Sequence, residues 1–237
     1  MLTCLGGSGY ECGSALTVAP DGDAVVTGVA RTADSPLVRP LHAGYGGGHE
    51  DTVPARVDAP GRWLEYSTFL GGSRSEYAGW VAVGEDGRVF VAGEAISPDF
   101  PPGGELAAGE SIRGLYFATV DEVGRLESLT LIRKGMAPAL SITARPDGLL
   151  THVGGYACGC PYVSVSDQGG RVVAGPVLAP RCIGTYCPVK VIASLAREIY
   201  IVGEKGEWPN RTRWVQKFRI RFPMPGDEPS AGPHDRR

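Results

Sequence analysis

The chain has 237 residues, of which 43% are hydrophobic and 21% charged, so it is long enough to bury one sizeable core. Its formal net charge of -3 comes from interspersed acidic and basic residues, which argues against a nucleic-acid partner. The 35 glycines and 19 prolines fall between β-branched and aromatic runs. Composition therefore predicts one globular domain of many short strands and turns.

The sequence carries no obvious signal for membrane insertion or export. No apolar run approaches the roughly 20 residues that span a bilayer, so we expect no membrane span. Residues 1–7 have neither the basic start nor the apolar core of a signal peptide. They begin in the middle of a motif that recurs later, which indicates a fragment or a misplaced start codon. Residues 211–221 are basic, but their alternation predicts a half-exposed strand.

An internal repeat organises the chain. The motif Leu5-Gly-Gly-Ser8 returns as Leu70-Gly-Gly-Ser73, and an alternating run, an Asp-Gly pair and a second β-rich run follow each copy. A third copy keeps the Asp-Gly pair, whereas a fourth has residues 196–198 in its place. Asp-Gly favours a tight hairpin because glycine adopts positive φ without a Cβ clash. The predicted turn residues are Asp21, Gly22, Asp86, Gly87, Asp147 and Gly148.

A second hairpin follows the first in three of the four copies. Its turns are predicted at residues 58–62, 121–125 and 167–171, each between alternating segments. Two hairpins give four strands per copy, and a period of roughly 60 residues suits a propeller blade. We therefore predict an all-β, β-propeller-like fold of about four blades, each of four antiparallel strands. The repeat domain spans residues 1–222, with units at 5–69, 70–132, 133–181 and 182–222.

The first two units carry a family resemblance. Residues 66–73, the hairpin ending at Gly93 and Ser97-Pro-Asp-Phe-Pro101 together resemble the bacterial beta-propeller repeat abbreviated SBBP. The resemblance covers residues 5–132 and fades beyond them. It implies a propeller of the kind found in secreted or surface proteins of bacteria, and it supplies no catalytic residues. An extracellular or cell-envelope location is the corresponding expectation.

The fourth unit is predicted to lack its outer strand. It supplies strands at residues 189–195, 199–202 and 213–222 and then turns into proline and glycine. The first five residues align with the end of an outer strand, so they could complete this blade and cover its edge. The alternatives are an incomplete chain, or self-association with a second copy that completes the last blade.

Two inserts and a tail lie outside the repeat pattern. Residues 34–50 and 98–114 are predicted as long loops between the second and third strands of their units, where loops on a rigid scaffold often carry binding function. Residues 223–237 hold four prolines and no apolar periodicity, which predicts a disordered tail.

Six cysteines fall in loops that the repeat places on one face. An even count in a loop-rich fold of the exported type favours disulfides, although the pairing stays open. The candidates are Cys4, Cys12, Cys158, Cys160, Cys182 and Cys187. A zinc site formed by Cys158, Cys160, Cys182 and Cys187 is the alternative, although its spacing departs from the paired C-x-x-C pattern.

The sequence assembles no recognisable catalytic site. The four histidines, His42, His49, His152 and His234, show no metal-ligand spacing. His49-Glu50-Asp51 is the one dense polar trio, and its glycine-rich surroundings predict that it is solvated. Gly46-Gly-Gly48 lacks the strand-to-helix setting of a phosphate loop, and no cofactor is expected. The repeated serines and turn aspartates are interpreted as scaffold.

These observations favour a non-enzymatic repeat scaffold, a surface or envelope module that binds an unidentified protein or glycan through the inserts. The alternative is a propeller enzyme, a hydrolase or lyase with an unrecognised site at the central channel. A truncated fragment without independent function is the third hypothesis. Fold alone does not choose among them.

Overall fold

A computed structural model describes residues 4–42, 44–100, 114–133, 139–145, 148, 150–155, 161–168, 171–178, 189–195, 198–205 and 212–219. Over these ranges the chain forms strands and turns and no helix, so the all-β expectation is confirmed. Consecutive strands pair antiparallel in sheets of four, four, four and three. No long, apolar helix that could cross a membrane is found in this part of the chain.

The strands follow the chain order within each sheet. The first sheet holds β1 (Glu11–Val18), β2 (Ala24–Ala30), β3 (Asp51–Val57) and β4 (Leu64–Ser67). The second holds β5 (Glu76–Val83), β6 (Val89–Ala95), β7 (Gly114–Val120) and β8 (Leu126–Arg133). The third holds β9 (Ala139–Ala144), β10 (Leu150–Gly155), β11 (Pro161–Ser166) and β12 (Val172–Leu178), and the fourth β13 (Val189–Leu195), β14 (Glu198–Lys205) and β15 (Thr212–Arg219).

The sheets stack through their first strands. β1 packs against β5, β5 against β9, and β9 against β13. One apolar cluster lies between the first two sheets and includes Val25, Tyr66 and Val91, and a second cluster joins Phe90 to Ile142 across the next pair. Each sheet is too thin to enclose a core alone, so burial of apolar faces between consecutive sheets holds the stack together.

The Asp-Gly pairs form tight hairpin turns. Gly22 and Gly87 have φ of 95° and 81°, a region that side chains with a Cβ rarely adopt. The carboxylate of Asp21 accepts from the backbone N–H of Asp23 at 3.1 Å, and that of Asp86 accepts from Arg88 at 3.2 Å. Gly148 likewise has φ of 77°, whereas Asp147 lies outside the described residues. A local hydrogen bond thus supports each of the two described turns, and Asp21 also pairs with the guanidinium of Arg56.

The first strand of each sheet contains a register shift. In the first sheet the shift falls between Gly13 and Ala15, and in the second it falls between Ala78 and Trp80, the equivalent positions of the repeat. The opposing glycines, Gly28 and Gly93, lie inside strands, so the expectation that the hairpin of the second unit ends at Gly93 is wrong by two residues. The bulge is thus part of the repeat.

We expect Gly93→Ala to destabilise the fold by about 1–3 kcal/mol, because overpacking displaces fixed neighbours. The added Cβ would collide with the carbonyl oxygen of Tyr77 and lie 2.5 Å from the buried hydroxyl of Tyr116. Gly13→Ala is the matched control, since a Cβ at Gly13 meets nothing within 4 Å. Urea unfolding of both variants checks this, and equal losses would contradict the packing role of Gly93.

Candidate functional site

The first insert lies against the Leu-Gly-Gly-Ser turn of the second unit. A Cβ built on Gly46 would collide with the carbonyl oxygen of Gly72, and one on Gly48 with the backbone of Arg74. The triple glycine therefore permits two backbones to run side by side, a role that needs no phosphate. We call the end of the sheets formed by the turns 5–10 and 70–75 and the insert 34–50 the insert face.

Further contacts hold the insert in place. The ring of Tyr45 packs edge-on against Phe69 with centroids 5.9 Å apart, and its hydroxyl donates to the carbonyl of Gly48 at 3.0 Å. The N–H of His49 donates to the hydroxyl of Ser75 at 2.9 Å. The insert then leads directly into β3, so it is an ordered part of the face.

A buried carboxylate anchors the turn of the second unit. Glu76, which is fully buried, accepts hydrogen bonds from the backbone N–H groups of Gly72 at 2.7 Å, Ser97 at 3.0 Å and Ile96 at 3.3 Å. Burial raises the pKa of its carboxyl group, and these bonds oppose the rise. Nearby, Asp99 accepts from the N–H of Ser73 at 2.8 Å, which lowers the pKa of Asp99. Both carboxylates are engaged by the backbone.

The equivalent acids of the first unit accept fewer hydrogen bonds from the backbone. Asp34 occupies the repeat position of Asp99, and it accepts from the N–H of Ser8 at 2.9 Å. Hydrogen bonds from Ser8 and Thr32 lower the pKa of Asp34 to about 2. Glu11, the counterpart of Glu76, accepts from the hydroxyls of Thr32 at 3.2 Å and Ser35 at 3.3 Å. Because these acids recur with the repeat, we assign them to the scaffold.

Asp51 departs from the repeat. It opens β3, whereas the corresponding β7 opens with Gly114. Its side chain is fully buried, one oxygen accepts from the N–H of Gly46 at 2.6 Å, and the other, Oδ1, has no hydrogen-bond partner. Burial raises the pKa of Asp51 to about 7, and the negative charges of Glu76 and Asp99 add to the rise. A fully buried carboxyl is beyond the reach of a large substrate.

The expectation that His49-Glu50-Asp51 is solvated is wrong for two of the three residues. Glu50 is 8% exposed and Asp51 is buried, because β3 begins within the trio and carries both against the second unit. His49 remains exposed. The glycine-rich composition suggested solvent, but the start of the strand at the end of the insert decides burial.

Three exposed side chains, Tyr10, Arg31 and His49, surround the buried Glu50, and we call these four residues the rim cluster. The guanidinium of Arg31 lies over the Tyr10 ring, 4.2 Å from its centroid, and its Nε lies 3.2 Å from Glu50 Oε2. The Nδ1 of His49 is 3.9 Å from the same oxygen, and the His49 side chain is 63% exposed. Tyr10 is 52% exposed. The cluster offers an aromatic ring, a cation and an imidazole to a ligand.

Sequence reading missed this cluster because its members come from three segments. Tyr10 precedes β1, Arg31 follows β2, and His49 and Glu50 precede β3. All three segments reach the same end of the first sheet, since neighbouring antiparallel strands alternate in direction. The one available signal was the trio itself, which marks only half of the cluster.

The structure describes two of the six cysteines, Cys4 and Cys12. Cys4 and Cys12 are both exposed and their thiols are free, so no bond joins them. Cys158, Cys160, Cys182 and Cys187 lie outside the described residues, so their disulfide and zinc alternatives stay predictions. Over the part of the chain that the structure describes, no group of three or more His, Cys, Asp or Glu side chains could hold a metal ion.

The opposite end of the sheets holds a separate cavity of about 170 Å³. It lies among the hairpin turns of the second and third sheets, and its lining includes Asp86, Arg145 and Gln168. Gln168 Nε2 lies 3.4 Å from Asp86 Oδ2 across it. This cavity is much smaller than the sites that enclose most organic ligands, so it supports no ligand assignment.

Together, these features define the class: an all-β protein of stacked antiparallel sheets with a polar rim at one end. No established family profile matches the chain, and no curated protein matches it. Among solved structures, a polysaccharide lyase of family PL25, an ulvan lyase bound to -[GlcA(1-4)Rha3S]-, is similar in fold, with a TM-score of 0.52 and 12% identity over 86% of this chain. The chain spans about half of that lyase, 52% of its length.

A presumed hydrolase from Bacteroides ovatus is also similar, with a TM-score of 0.46 and 10% identity over 92% of this chain and 68% of that one. At these identities the likeness to the lyase concerns the fold alone, and the second score is too low to support an argument.

Proposed function

We propose that the chain is a non-enzymatic, propeller-like scaffold of the SBBP type that binds a glycan at its insert face, at the cell surface or envelope. The consecutive sheets, stacked through their first strands, support the propeller-like arrangement. The SBBP resemblance supports the location. The ligand surface is the rim cluster.

This proposal rests on one contrast: the acidic side chains of the insert face are hydrogen-bonded to the backbone or buried, whereas side chains of the rim cluster are exposed. Glu76, Asp99 and Asp34 accept backbone hydrogen bonds, and Asp51 is buried. These four groups are therefore poorly placed to serve a reacting substrate. The exposed side chains are instead an aromatic ring, Tyr10, beside cationic and imidazole groups, a combination suited to stacking and hydrogen bonding with a sugar.

The charge of the insert face indicates which class of glycan it binds. Apart from the fully buried Asp51 and Glu76, four carboxyl groups of the described residues lie in or beside its turns, against three arginines: Glu11, Asp34, Glu50 and Asp99, with Arg31, Arg39 and Arg74. The carboxylates outnumber the arginines by one, so the face has no surplus of positive charge to attract an anionic polysaccharide. We therefore expect a neutral glycan, in contrast to the acidic, sulfated ligand of the lyase.

Affinity electrophoresis in gels containing neutral or uronate-rich polysaccharides tests the proposal. We expect a neutral polysaccharide to retard the protein and Tyr10→Ala to weaken that retardation by about tenfold, which corresponds to the loss of a stacked ring and its contacts. Trp63→Ala is the control, because Trp63 is 67% exposed but lies at the turn between β3 and β4. Equal retardation of wild type and Tyr10→Ala would contradict the assignment of the rim.

A polysaccharide-cleaving enzyme, a lyase or hydrolase, is the second candidate. The exposed His49 beside Glu50 favours it, since an imidazole near a carboxylate is a common acid–base pair. Incubation with the same polysaccharides, followed by assays for unsaturated products and new reducing ends, separates the two. Product formation by wild type that His49→Ala abolishes would replace the binding proposal with this one.

A further inference from the structure

One face of the first sheet carries apolar side chains of the kind found in a core, but these side chains are exposed to solvent. Leu16 and Val18 of β1 are 64% and 62% exposed. Val26 and Val53 on the neighbouring strands are only half-buried. A cavity of about 100 Å³, lined in part by Val26, Val53 and Cys12, lies on the same side. Apolar positions facing solvent on adjacent strands form a patch of the kind that marks an interaction surface.

The repeat identifies what covers such a face. Leu16 and Val26 of the first sheet correspond to Val81 and Val91 of the second. Those two valines are 7% and 0% exposed, because the preceding sheet packs over them through Val25 and Tyr66. The next interface repeats this arrangement, with Phe90 of the second sheet against Ile142 of the third. The first sheet is therefore shaped to receive another sheet of the same repeat.

The fourth sheet presents the complementary side. Its Gly203 occupies the strand position of Gly93, so Tyr200 corresponds to Phe90, the residue that faces the following sheet. Lys217 pairs with Tyr200 in register, and Val215, two residues earlier, lies on the same side of β15. Val215 is 68% exposed, and the ammonium of Lys217 lies 5.5 Å from the Tyr200 ring centroid. This side therefore meets solvent at Val215.

We propose that the chain forms a head-to-tail dimer in which the fourth sheet of each copy packs on the first sheet of the other. The contact is heterologous, so it must close into a ring or propagate as a filament. Two copies of the four described sheets make a ring of eight, which lies within the usual range of about four to eight propeller blades, whereas three copies would exceed it. This inference rests on the propeller-like arrangement and is independent of the glycan.

Light scattering after size-exclusion chromatography of the full chain tests the dimer over a range of concentrations. We expect twice the chain mass of 24.9 kDa for wild type and the monomer mass for the double variant Leu16→Glu/Val18→Glu. Two charges buried without partners should weaken association by about 100-fold or more. Val173→Glu, at a strand valine that is 47% exposed on the third sheet, should remain dimeric.

Mixing variants tests the head-to-tail geometry. Val215→Glu alone should also be monomeric, and mixing it with Leu16→Glu/Val18→Glu should restore dimers, because one intact fourth sheet then meets one intact first sheet. A symmetric contact between two first sheets would give no restoration with these partners. Monomeric wild type at every concentration, or a dimer unaffected by the double variant, overturns the proposal. Circular dichroism verifies that each variant is folded, and glycan retardation reports separately on the insert face.

Discussion

Glu76→Ala is expected to lower the free energy of unfolding by about 3–5 kcal/mol. The carboxylate accepts three backbone N–H bonds, from Gly72, Ile96 and Ser97, and it is fully buried. Its removal leaves the N–H groups of Gly72 and Ser97 without this acceptor, whereas the N–H of Ile96 keeps the carbonyl of Ser75 at 3.1 Å. Each buried donor left without an acceptor costs roughly 1–3 kcal/mol. For a chain of this size, such a loss lowers the melting temperature by on the order of 10 °C.

Glu11→Ala is the matched control for Glu76→Ala, because both residues occupy the same repeat position. Glu11 is only partly buried and its described partners are two hydroxyls, which can turn toward water when the carboxylate is removed. We expect a loss below about 1 kcal/mol. Thermal and urea unfolding measured side by side give the difference. Similar losses in the two variants would show that the repeat position matters and the number of backbone donors does not.

The repeat explains why much of the fold was predictable from the sequence. Asp-Gly pairs constrain backbone dihedrals locally, so the turns at Gly22 and Gly87 required no knowledge of distant contacts. The second hairpins and the three strands of the last copy followed from the same alternation, and the structure has β13 at Val189–Leu195, where it was predicted. Signals of this kind are carried by residues close in sequence, and repetition reinforces them.

The candidate site was harder to predict because its members are exceptions to the repeat. Tyr10 and Arg31 stand where the second unit has a serine and an isoleucine. The neighbouring Asp51, which lies outside the cluster, likewise replaces the glycine that opens β7. Arg31 stacks on Tyr10 across the open end of the β1–β2 hairpin, where the bulge between Gly13 and Ala15 sets which residues face each other. Departures from the repeat are the one local signal of such a site, because the scaffold does not require a residue that breaks the repeat. Sequence reading treated such departures as loop composition.

Stability should fall as pH rises from about 4 to about 7 because of Asp51. The pKa of this carboxyl group is about 7 in the folded chain and 3.8 in its unperturbed state, so the folded state binds more protons across this window. A difference of about three pKa units corresponds to roughly 4 kcal/mol at pH 8. Asp51→Asn keeps an oxygen for the N–H of Gly46 and cannot ionise. The variant should therefore match wild type near pH 4 and exceed its stability above pH 7.

Asp99→Asn supplies the control of opposite sign, which makes the assignment to Asp51 specific. Hydrogen bonding from Ser73 lowers the pKa of Asp99, so its contribution is present above pH 4 and is lost as pH falls further. Asp99→Asn should thus be less stable than wild type at pH 8, where Asp51→Asn is more stable. Urea unfolding of the three proteins at about pH 2, 4, 6 and 8 resolves the two trends, because the Asp99 window lies below pH 4 and the Asp51 window above it. If the free energy of unfolding of Asp51→Asn followed that of wild type at every pH, the prediction would be contradicted. Ionisation of Asp51 would then carry no free-energy cost in the folded chain, which would require water to reach Oδ1.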